Sequence, residues 1–182
     1  MVSSLGSMSE FNGKRVVVTG MAGAGKSNFS RALSAKTGLP VIHLDLYSWN
    51  PGWERVSNDE MLQKQRGLLS ADTWIVDSND VDEEVLVNRA DTLVILATPW
   101  WICSWRAFRR GLQRPSDMQL PEGCEESLSQ RLRDEWAIVF RNWRNRATVT
   151  NRDMSLASRC PASIHVLVMR SKQEIDRFIG CL

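Results

Sequence analysis

The stretch that most constrains this chain is Gly20-Met21-Ala22-Gly23-Ala24-Gly25-Lys26-Ser27. It matches the P-loop pattern of glycine, four residues, glycine, lysine and then serine or threonine. A β-branched run over 15–19 precedes it, and a helical pattern over 26–37 follows. Glycines let backbone N–H groups converge on an anion, and the helix N-terminus adds partial positive charge. A glycine-rich turn that matched by chance would not account for the strand and the helix on either side.

Short apolar runs alternate with helical patterns along most of the chain. Continuously apolar, mostly β-branched runs are typical of strands covered on both faces, and they predict strands at 15–19, 40–44, 73–77, 92–97 and 164–169. Helices are predicted at 26–37 and 58–69, and near the C-terminus. The last two open with the capping-box pairs Ser57 and Glu60, and Ser171 and Glu174. This alternation predicts an α/β domain with a parallel sheet and right-handed crossovers.

Composition indicates one soluble domain. The chain has 182 residues, of which 43% are hydrophobic and 24% charged, and its net charge of +2 gives no general attraction to nucleic acid or membrane. The longest apolar stretch is interrupted at Thr98 and Pro99, well short of the roughly 20 residues that span a bilayer. We expect residues 1–13 to be a flexible tail without a signal peptide, and 14–182 to form a single domain. The four cysteines are too far apart for a zinc knuckle or redox dithiol, which favours reduced thiols in a cytoplasmic protein.

The P-loop and the strand ends predict which residues bind the nucleotide, the metal and the acceptor. The predicted nucleotide-binding residues are Gly20, Met21, Ala22, Gly23, Ala24, Gly25, Lys26, Ser27 and Asn28. Lys26 is expected to reach the outer phosphates of ATP and Ser27 to ligate Mg²⁺. Asp77 ends the third predicted strand, at the sheet edge where open α/β sheets bind ligands, and is expected to help hold Mg²⁺. Asp45 ends the second strand and could orient or deprotonate an acceptor hydroxyl, or help hold the metal.

Instead of a catalytic or metal-binding role, either aspartate could have a structural one, as a helix cap or turn residue at the end of a strand. His43 and His165 lie inside strand patterns without a nearby partner, which favours packed or edge histidines. Trp49 and Trp53 flank Pro51-Gly52, where they could stack on a ligand ring or form a small satellite core under the loop.

Residues 105–152 break the alternation and hold ten arginines and no lysine. We expect two arginine-bearing helical arms, joined by a loop over 115–126, to form a lid over one end of the sheet. Arginine offers a planar fork that suits phosphate oxygens better than lysine does. Arg106 and Arg110 would share a helix face, with Arg114 one turn further on. We expect these three to include the residues that act on the transferred phosphoryl group, and at least half of the ten to be a solvated helix face.

Beyond the P-loop, several segments resemble the DNA topology modulation (FlaR-like) P-loop proteins, which are similar to adenylate kinases. They are His43-Leu44-Asp45, Trp49-Asn50-Pro51-Gly52-Trp53, Trp74-Ile75-Val76-Asp77, Arg89-Ala90-Asp91-Thr92, Arg109-Arg110, Arg114-Pro115, Asp117-Met118, Gly123-Cys124 and Arg170-Ser171-Lys172-Gln173-Glu174. The resemblance implies a five-stranded parallel sheet in the order 2-3-1-4-5, an arginine-bearing lid and an acceptor region of the nucleoside-monophosphate type. It also implies that Arg170 is among the nucleotide-binding residues.

Some positions depart from that family pattern. Asn28 replaces a threonine, Ser78-Asn79-Asp80 replaces Gly-Asn-Tyr, and Ala97 and Trp100 replace aspartate and arginine. The loss of the acidic group and the arginine leaves the acceptor and the turnover rate open, but does not touch the ATP phosphate site.

Three hypotheses of function follow. The leading one is a phosphotransferase that moves a phosphoryl group from Mg²⁺–ATP to a nucleotide or small-molecule acceptor. The second is an ATP-binding regulator associated with DNA topology, whose arginines meet a DNA backbone; the near-neutral net charge weakens it. The third is a nucleotide-binding protein whose catalysis has decayed. No membrane partner is expected. The choice between ATP and GTP, and between monomer and homodimer, stays open.

Overall fold

The computed structural model describes residues 11–78, 81–113 and 120–182. Its strands are β1 (Arg15–Gly20), β2 (Val41–His43), β3 (Trp49–Asn50), β4 (Glu54–Arg55), β5 (Trp74–Asp77), β6 (Thr92–Leu96) and β7 (His165–Met169). Its α-helices are α1 (Lys26–Thr37), α2 (Asn58–Leu68), α3 (Glu83–Arg89), α4 (Trp100–Leu112), α5 (Leu128–Arg144), α6 (Arg146–Arg159) and α7 (Lys172–Gly180). A 3₁₀ turn, Leu44–Ser48, follows β2.

Five of these strands form a parallel sheet in the order β2-β5-β1-β6-β7. Numbered along the chain within that sheet alone, this is the order 2-3-1-4-5. The predicted α/β fold is therefore confirmed. The antiparallel pair β3–β4 is an addition: the sequence indicated a polar loop there, and the chain instead forms a two-stranded hairpin.

Both faces of the sheet are covered, which explains the continuously apolar strands. Side chains alternate between the faces along a strand. In β1, Val17 belongs to the core cluster under α2, α3 and the end of α6, whereas Val16 and Val18 belong to the cluster under α1, α4 and α7. All three valines are at most 1% exposed.

The arginine-rich segment contains the two predicted arms, which are α4 and α5 packed side by side. A third helix, α6, carries the chain past residue 152 and back to the sheet, so the helical insertion ends later than predicted. The fold also begins earlier than residue 14, because the ring of Phe11 lies edge-on to Phe178 at 5.5 Å. Across the described ranges, no helix is both long and apolar enough to span a membrane.

Candidate active site

The P-loop leaves β1 with three glycines in left-handed or extended positive-φ conformations, at 142° for Gly20, 89° for Gly23 and 102° for Gly25. A side chain at Gly23 would also clash, since an added Cβ would lie 2.3 Å from the carbonyl oxygen of Cys103 on α4. All three positions therefore favour glycine for their backbone conformation, and Gly23 requires it also because of the close approach of α4.

Within the described ranges, the start of α1, like those of α4 and α6, has no side-chain cap, whereas the other four α-helices are capped. Ser57, Asp82, Ser127 and Ser171 cap α2, α3, α5 and α7, and each accepts a hydrogen bond from a backbone N–H in the first turn. At α1 the N-cap is Gly25, and no side chain of the described residues caps the first turn. The N–H groups that a helix start leaves unpaired are thus available to an anion at the P-loop.

Lys26 folds back over the P-loop. Its Nζ donates to the carbonyl oxygens of Gly20 at 2.9 Å and Met21 at 3.4 Å. Burial lowers the pKa of the Lys26 ammonium, while the negative charges of Asp45, Asp77 and, more weakly, Asp153 act to raise that pKa. The lysine therefore lies in the field of both predicted strand-end carboxylates, so the structure brings Lys26, Asp45 and Asp77 together.

Two helices of the predicted lid hold the P-loop from outside. Arg106 of α4 donates from Nη1 to Ala24 O at 3.0 Å and to Gly23 O at 3.4 Å. Asn142 of α5 donates from Nδ2 to Ala22 O at 2.9 Å. The loop carbonyls thus accept bonds from α4 and α5. Sequence reasoning placed Arg106 here but missed Asn142, whose only signal was an amide among the apolar residues of an amphipathic helix.

Asp77 is paired with His43 at the carboxyl edge of the sheet. Nδ1 of His43 lies 2.7 Å from Oδ1 of Asp77, and the hydrogen bond to this carboxylate raises the pKa of the imidazole, against a smaller opposing effect of burial. The expectation that His43 merely packs was therefore incomplete. The missing signal was strand register, because β2 and β5 are neighbours and pair these two residues.

The other oxygen of Asp77 is the best indication of a ligand. Asp77 is 4% exposed, and Oδ2 has no hydrogen-bond partner among the described residues. Nearby, Ser78 Oγ donates to Asp45 Oδ1 at 3.4 Å. Asp45 lies in the 3₁₀ turn after β2 and not at the strand end that the sequence predicts, so this bond links that turn to the end of β5. A buried carboxylate oxygen without a partner is unfavourable unless a ligand satisfies it, and Mg²⁺ or its bound water would do so.

Metal binding at this site would depend on nucleotide phosphates and water as well as on protein side chains. No group of three or more His, Cys, Asp or Glu side chains in the described part of the chain could hold a metal ion. Mg²⁺ bound with nucleotide ordinarily uses one or two carboxylates, together with phosphates, water and in P-loop proteins a hydroxyl. Ser27, Asp77 and Asp45 fit that pattern.

Asp153 is a site residue that the sequence did not reveal. It lies on α6, is buried, and lines a small cavity with Met21, Ala97 and Thr98. Burial raises the pKa of its carboxyl group. Its position, one residue beyond the expected end of the lid, gave no indication that α6 returns to the P-loop.

Arg110 lies elsewhere than predicted. Its guanidinium forms a bidentate pair with Glu135 of α5, in which Nε contacts Oε1 and Nη2 lies 2.9 Å from Oε2. Glu135 is 5% exposed, so the pair joins α4 to α5 from within. In this arrangement the fork of Arg110 is occupied by a carboxylate instead of being presented to phosphate. Arg114 lies outside the described residues, as do Asn79 and Asp80.

The remaining predicted nucleotide contacts lie at the same edge of the sheet or close to it. Ser27 is exposed in the first turn of α1. Asn28 is also exposed and accepts a hydrogen bond from Arg31 at 2.6 Å. Arg170 follows β7 directly, with its side chain exposed and its backbone N–H bonded to Glu174 at 2.8 Å.

The β3–β4 hairpin supports the satellite-core interpretation of its tryptophans. The rings of Trp49 and Trp53 meet edge-to-face at 5.6 Å. Trp53 Nε1 donates to Glu125 O at 2.7 Å, and Gly52 N donates to Gly123 O at 3.3 Å. The hairpin tip therefore fastens the segment that precedes α5.

A cavity of about 310 Å³ lies between this hairpin and α2. Polar groups line it from Ser48, Arg55, Asn58, Gln65 and Asp82, and apolar ones from Val56, Met61 and Leu62. Small-molecule sites combine an apolar lining with a few polar groups in this way and begin at roughly this volume.

Comparison with solved structures agrees with the fold. Shikimate kinase from Acinetobacter baumannii, in complex with shikimate, superposes with a TM-score of 0.52 at 17% identity, over 92% of this chain and 89% of that one. Shikimate kinase from Bacteroides thetaiotaomicron gives 0.51 at 14% identity, over 92% and 95%. At such identities the likeness establishes the fold, which is that of the P-loop kinases. No protein-family model and no curated protein sequence matches the chain. The resemblance to the topology modulation proteins therefore stays a prediction.

Proposed function

We propose that this chain is a Mg²⁺–ATP-dependent phosphotransferase that acts on a small acceptor. The observation that carries the proposal is the grouping of Lys26, Asp45 and Asp77 around one P-loop, at the carboxyl edge of a P-loop kinase fold. Phosphoryl transfer needs positioning and charge neutralisation more than covalent chemistry from the protein, and this group of residues offers both.

On the donor side, the uncapped start of α1 and the P-loop N–H groups would bind the phosphates. Lys26 would exchange its carbonyl partners for phosphate oxygens, and Arg106 adds a second positive charge beside Ala24 and Gly23. Ser27 and Asp77 would hold Mg²⁺, with Asp45 close by. When bound, the ion would offset phosphate charge and align the reacting groups.

On the acceptor side, Asp45 is assigned to the receiving oxygen where that oxygen belongs to a hydroxyl; a nucleotide acceptor would instead offer a phosphate oxygen, which has no proton to remove. The acceptor oxygen forms a bond to the terminal phosphorus while the bond from that phosphorus to the bridging oxygen breaks. The hydroxyl proton passes to the Asp45 carboxylate, and ADP leaves. The cavity beside α2 would hold the body of the acceptor, and Arg55 and Asp82 on its wall offer charged groups of both signs to a polar acceptor.

Two finer assignments belong to the same proposal. A nucleotide acceptor, as in adenylate kinases, and membership of the topology modulation family both rest on the resemblance of segments such as His43-Leu44-Asp45. The contact of His43 with Asp77 supports the first of these indirectly, because it joins this segment to the carboxylate proposed to hold Mg²⁺. We also place the protein in the cytoplasm, in keeping with its four free cysteine thiols.

The experiment is a coupled assay of ADP release with nucleoside monophosphates, nucleosides and small hydroxyl-bearing metabolites, with and without Mg²⁺. Acceptor-dependent, Mg²⁺-dependent ADP release by the wild type, lost in Lys26→Ala, supports the proposal. ATP binding without acceptor-dependent release would favour a regulator or a decayed enzyme instead. Duplex DNA binding, measured in parallel, separates those two.

A further inference from the structure

The outer face of the α4–α5 pair is unusually apolar. Among the described residues, eight large hydrophobic side chains are exposed, and all but Tyr47 lie on these two helices. We call them the aromatic face: Trp101, Trp105 and Leu112 on α4, and Leu128, Trp136, Phe140 and Trp143 on α5. Phe108, half-buried, contacts Trp136 at 5.7 Å between ring centroids and joins the two halves.

The spacing of this face is that of a helix-packing seam. On α4, Trp101, Trp105, Phe108 and Leu112 are separated by four, three and four residues, as in the core positions of a coiled coil. Each helix already uses another face within the chain: Cys103, Ala107 and Gly111 of α4 are buried, as are Glu135 and Asn142 of α5. The two helices thus carry a second seam that nothing in the described structure covers.

The area of the face fits a stable interface. Its tryptophans are 49% to 64% exposed. Taking roughly 150–250 Å² for each aromatic side chain, the face leaves on the order of 800 Å² of apolar surface in water. That exceeds the roughly 300–600 Å² of the largest patch on a typical monomer, and equals the roughly 800 Å² per partner of a stable interface.

The charged residues beside the face are also those of an interface. Arg109 adjoins Trp105 along α4, and Arg146 lies with its guanidinium carbon 5.6 Å from the ring centroid of Trp143. Neither α4 nor α5 contains a lysine. Tryptophan, phenylalanine and arginine are enriched in interface cores, whereas lysine is depleted there.

We propose that the aromatic face binds the same face of a second copy, forming a two-fold dimer in which two helix pairs make a four-helix bundle. The seven side chains that define the face are all apolar, which argues against a polyanion as the occupant. The proposal is independent of the phosphotransferase assignment.

The test is sedimentation of the full chain over a hundredfold range of concentration. The wild type is expected to shift from monomer to dimer. Trp105→Glu and Trp136→Glu should each weaken dimerisation at least about 30-fold, as expected for central aromatic residues. Tyr47→Glu is the matched control, an exposed aromatic off the face, and should leave the dimer unchanged.

The salt dependence of binding distinguishes a second copy of the chain from an anionic partner. A dimer with an arginine rim should persist or tighten as salt rises, because the like charges are screened. A wild type that stays monomeric throughout overturns the proposal, as does a dimer that survives both glutamate changes. A monomer that instead binds single-stranded oligonucleotide or anionic vesicles at low salt also overturns it. Thermal unfolding of each variant checks folding, and Trp101→Ser repeats the test if either glutamate variant unfolds.

Discussion

His43 Nδ1 lies 2.7 Å from Asp77 Oδ1, and the two residues are register partners at the ends of neighbouring strands. The contact orients the carboxylate so that its buried second oxygen remains for the site. His43 thus acts on the site through Asp77, and the fold itself supplies the contact.

This pair predicts a pH-dependent stability. The hydrogen bond to Asp77 raises the pKa of His43 in the folded chain above the ordinary value of 6.5. The pair therefore stabilises the fold fully below pH 6.5, and this stabilisation is lost as the pH rises through the raised pKa. The difference in free energy of unfolding between wild type and His43→Gln should be largest just below pH 6.5 and shrink above it. Denaturant unfolding at several pH values measures it, with His165→Gln as control; a difference that grows with pH would contradict the assignment.

Lys26→Ala should keep the fold and lose function. The side chain contacts only P-loop carbonyls by hydrogen bond among the described residues, so its removal leaves the core intact. ATP affinity or turnover should fall at least about 100-fold, as for the loss of a preorganised charge stabiliser. Calorimetric titration with Mg²⁺–ATP, together with thermal unfolding, checks both parts. Unchanged affinity and rate in a folded variant would mean that the P-loop is not the site.

Asp77→Asn and Asp45→Asn should both slow turnover, for different reasons. Loss of the metal-directed oxygen of Asp77 should weaken Mg²⁺ affinity about 10–100-fold, so higher Mg²⁺ should partly restore the rate. Higher Mg²⁺ should not restore the rate of Asp45→Asn if the Asp45 carboxylate takes the acceptor proton. Magnesium titrations of turnover distinguish them, and equal rescue of both would make Asp45 a metal residue.

Substitutions of Arg110 and Arg106 should affect different properties, stability for Arg110 and nucleotide binding for Arg106. Arg110→Lys cannot make both bonds to the buried Glu135, so it should lower the free energy of unfolding by about 1–3 kcal/mol. Arg106→Lys should leave stability nearly unchanged and weaken ATP binding, because Arg106 lies against Ala24 at the phosphate site. If Arg110→Lys instead slows phosphoryl transfer without lowering the free energy of unfolding, Arg110 contacts the phosphoryl group, as the sequence predicts.

Gly23→Ala should disrupt the contact between the P-loop and α4. The new Cβ would meet Cys103 O at 2.3 Å, in addition to the strain of a positive φ. Gly38→Ala is the matched control, because its φ of 74° is also positive but no heavy atom lies within 4 Å of the added Cβ. The control should cost about 1–2 kcal/mol from backbone strain alone. Thermal unfolding should show a clearly larger loss for Gly23→Ala, and equal losses would mean that α4 does not press on the loop.

The parts of this fold that local sequence encodes were predictable. The bounds of α1 follow from residues close in sequence, and the grouping of Lys26 with Asp45 and Asp77 follows from the rule that parallel strands end at one edge. The strand order is different, because only the family resemblance implied it.

What could not be predicted depends on partners far apart in sequence. Glu135 lies 25 residues from Arg110, across a loop, and nothing local shows that it takes the guanidinium. Asn142 reaches Ala22 over 120 residues. The contact of His43 with Asp77 depends on the register between β2 and β5, which hydrophobic periodicity alone does not give. Arginine content suggested phosphate binding, whereas packing of α4 on α5 decides which arginines remain available.

The most direct measurement of the central claim is phosphorus NMR of the full chain with ATP, Mg²⁺ and each acceptor that releases ADP. We expect a new phosphorylated-acceptor resonance that grows in step with ADP, and its absence in Lys26→Ala. ADP that appears only with inorganic phosphate, at the same rate with or without acceptor, would contradict the central claim.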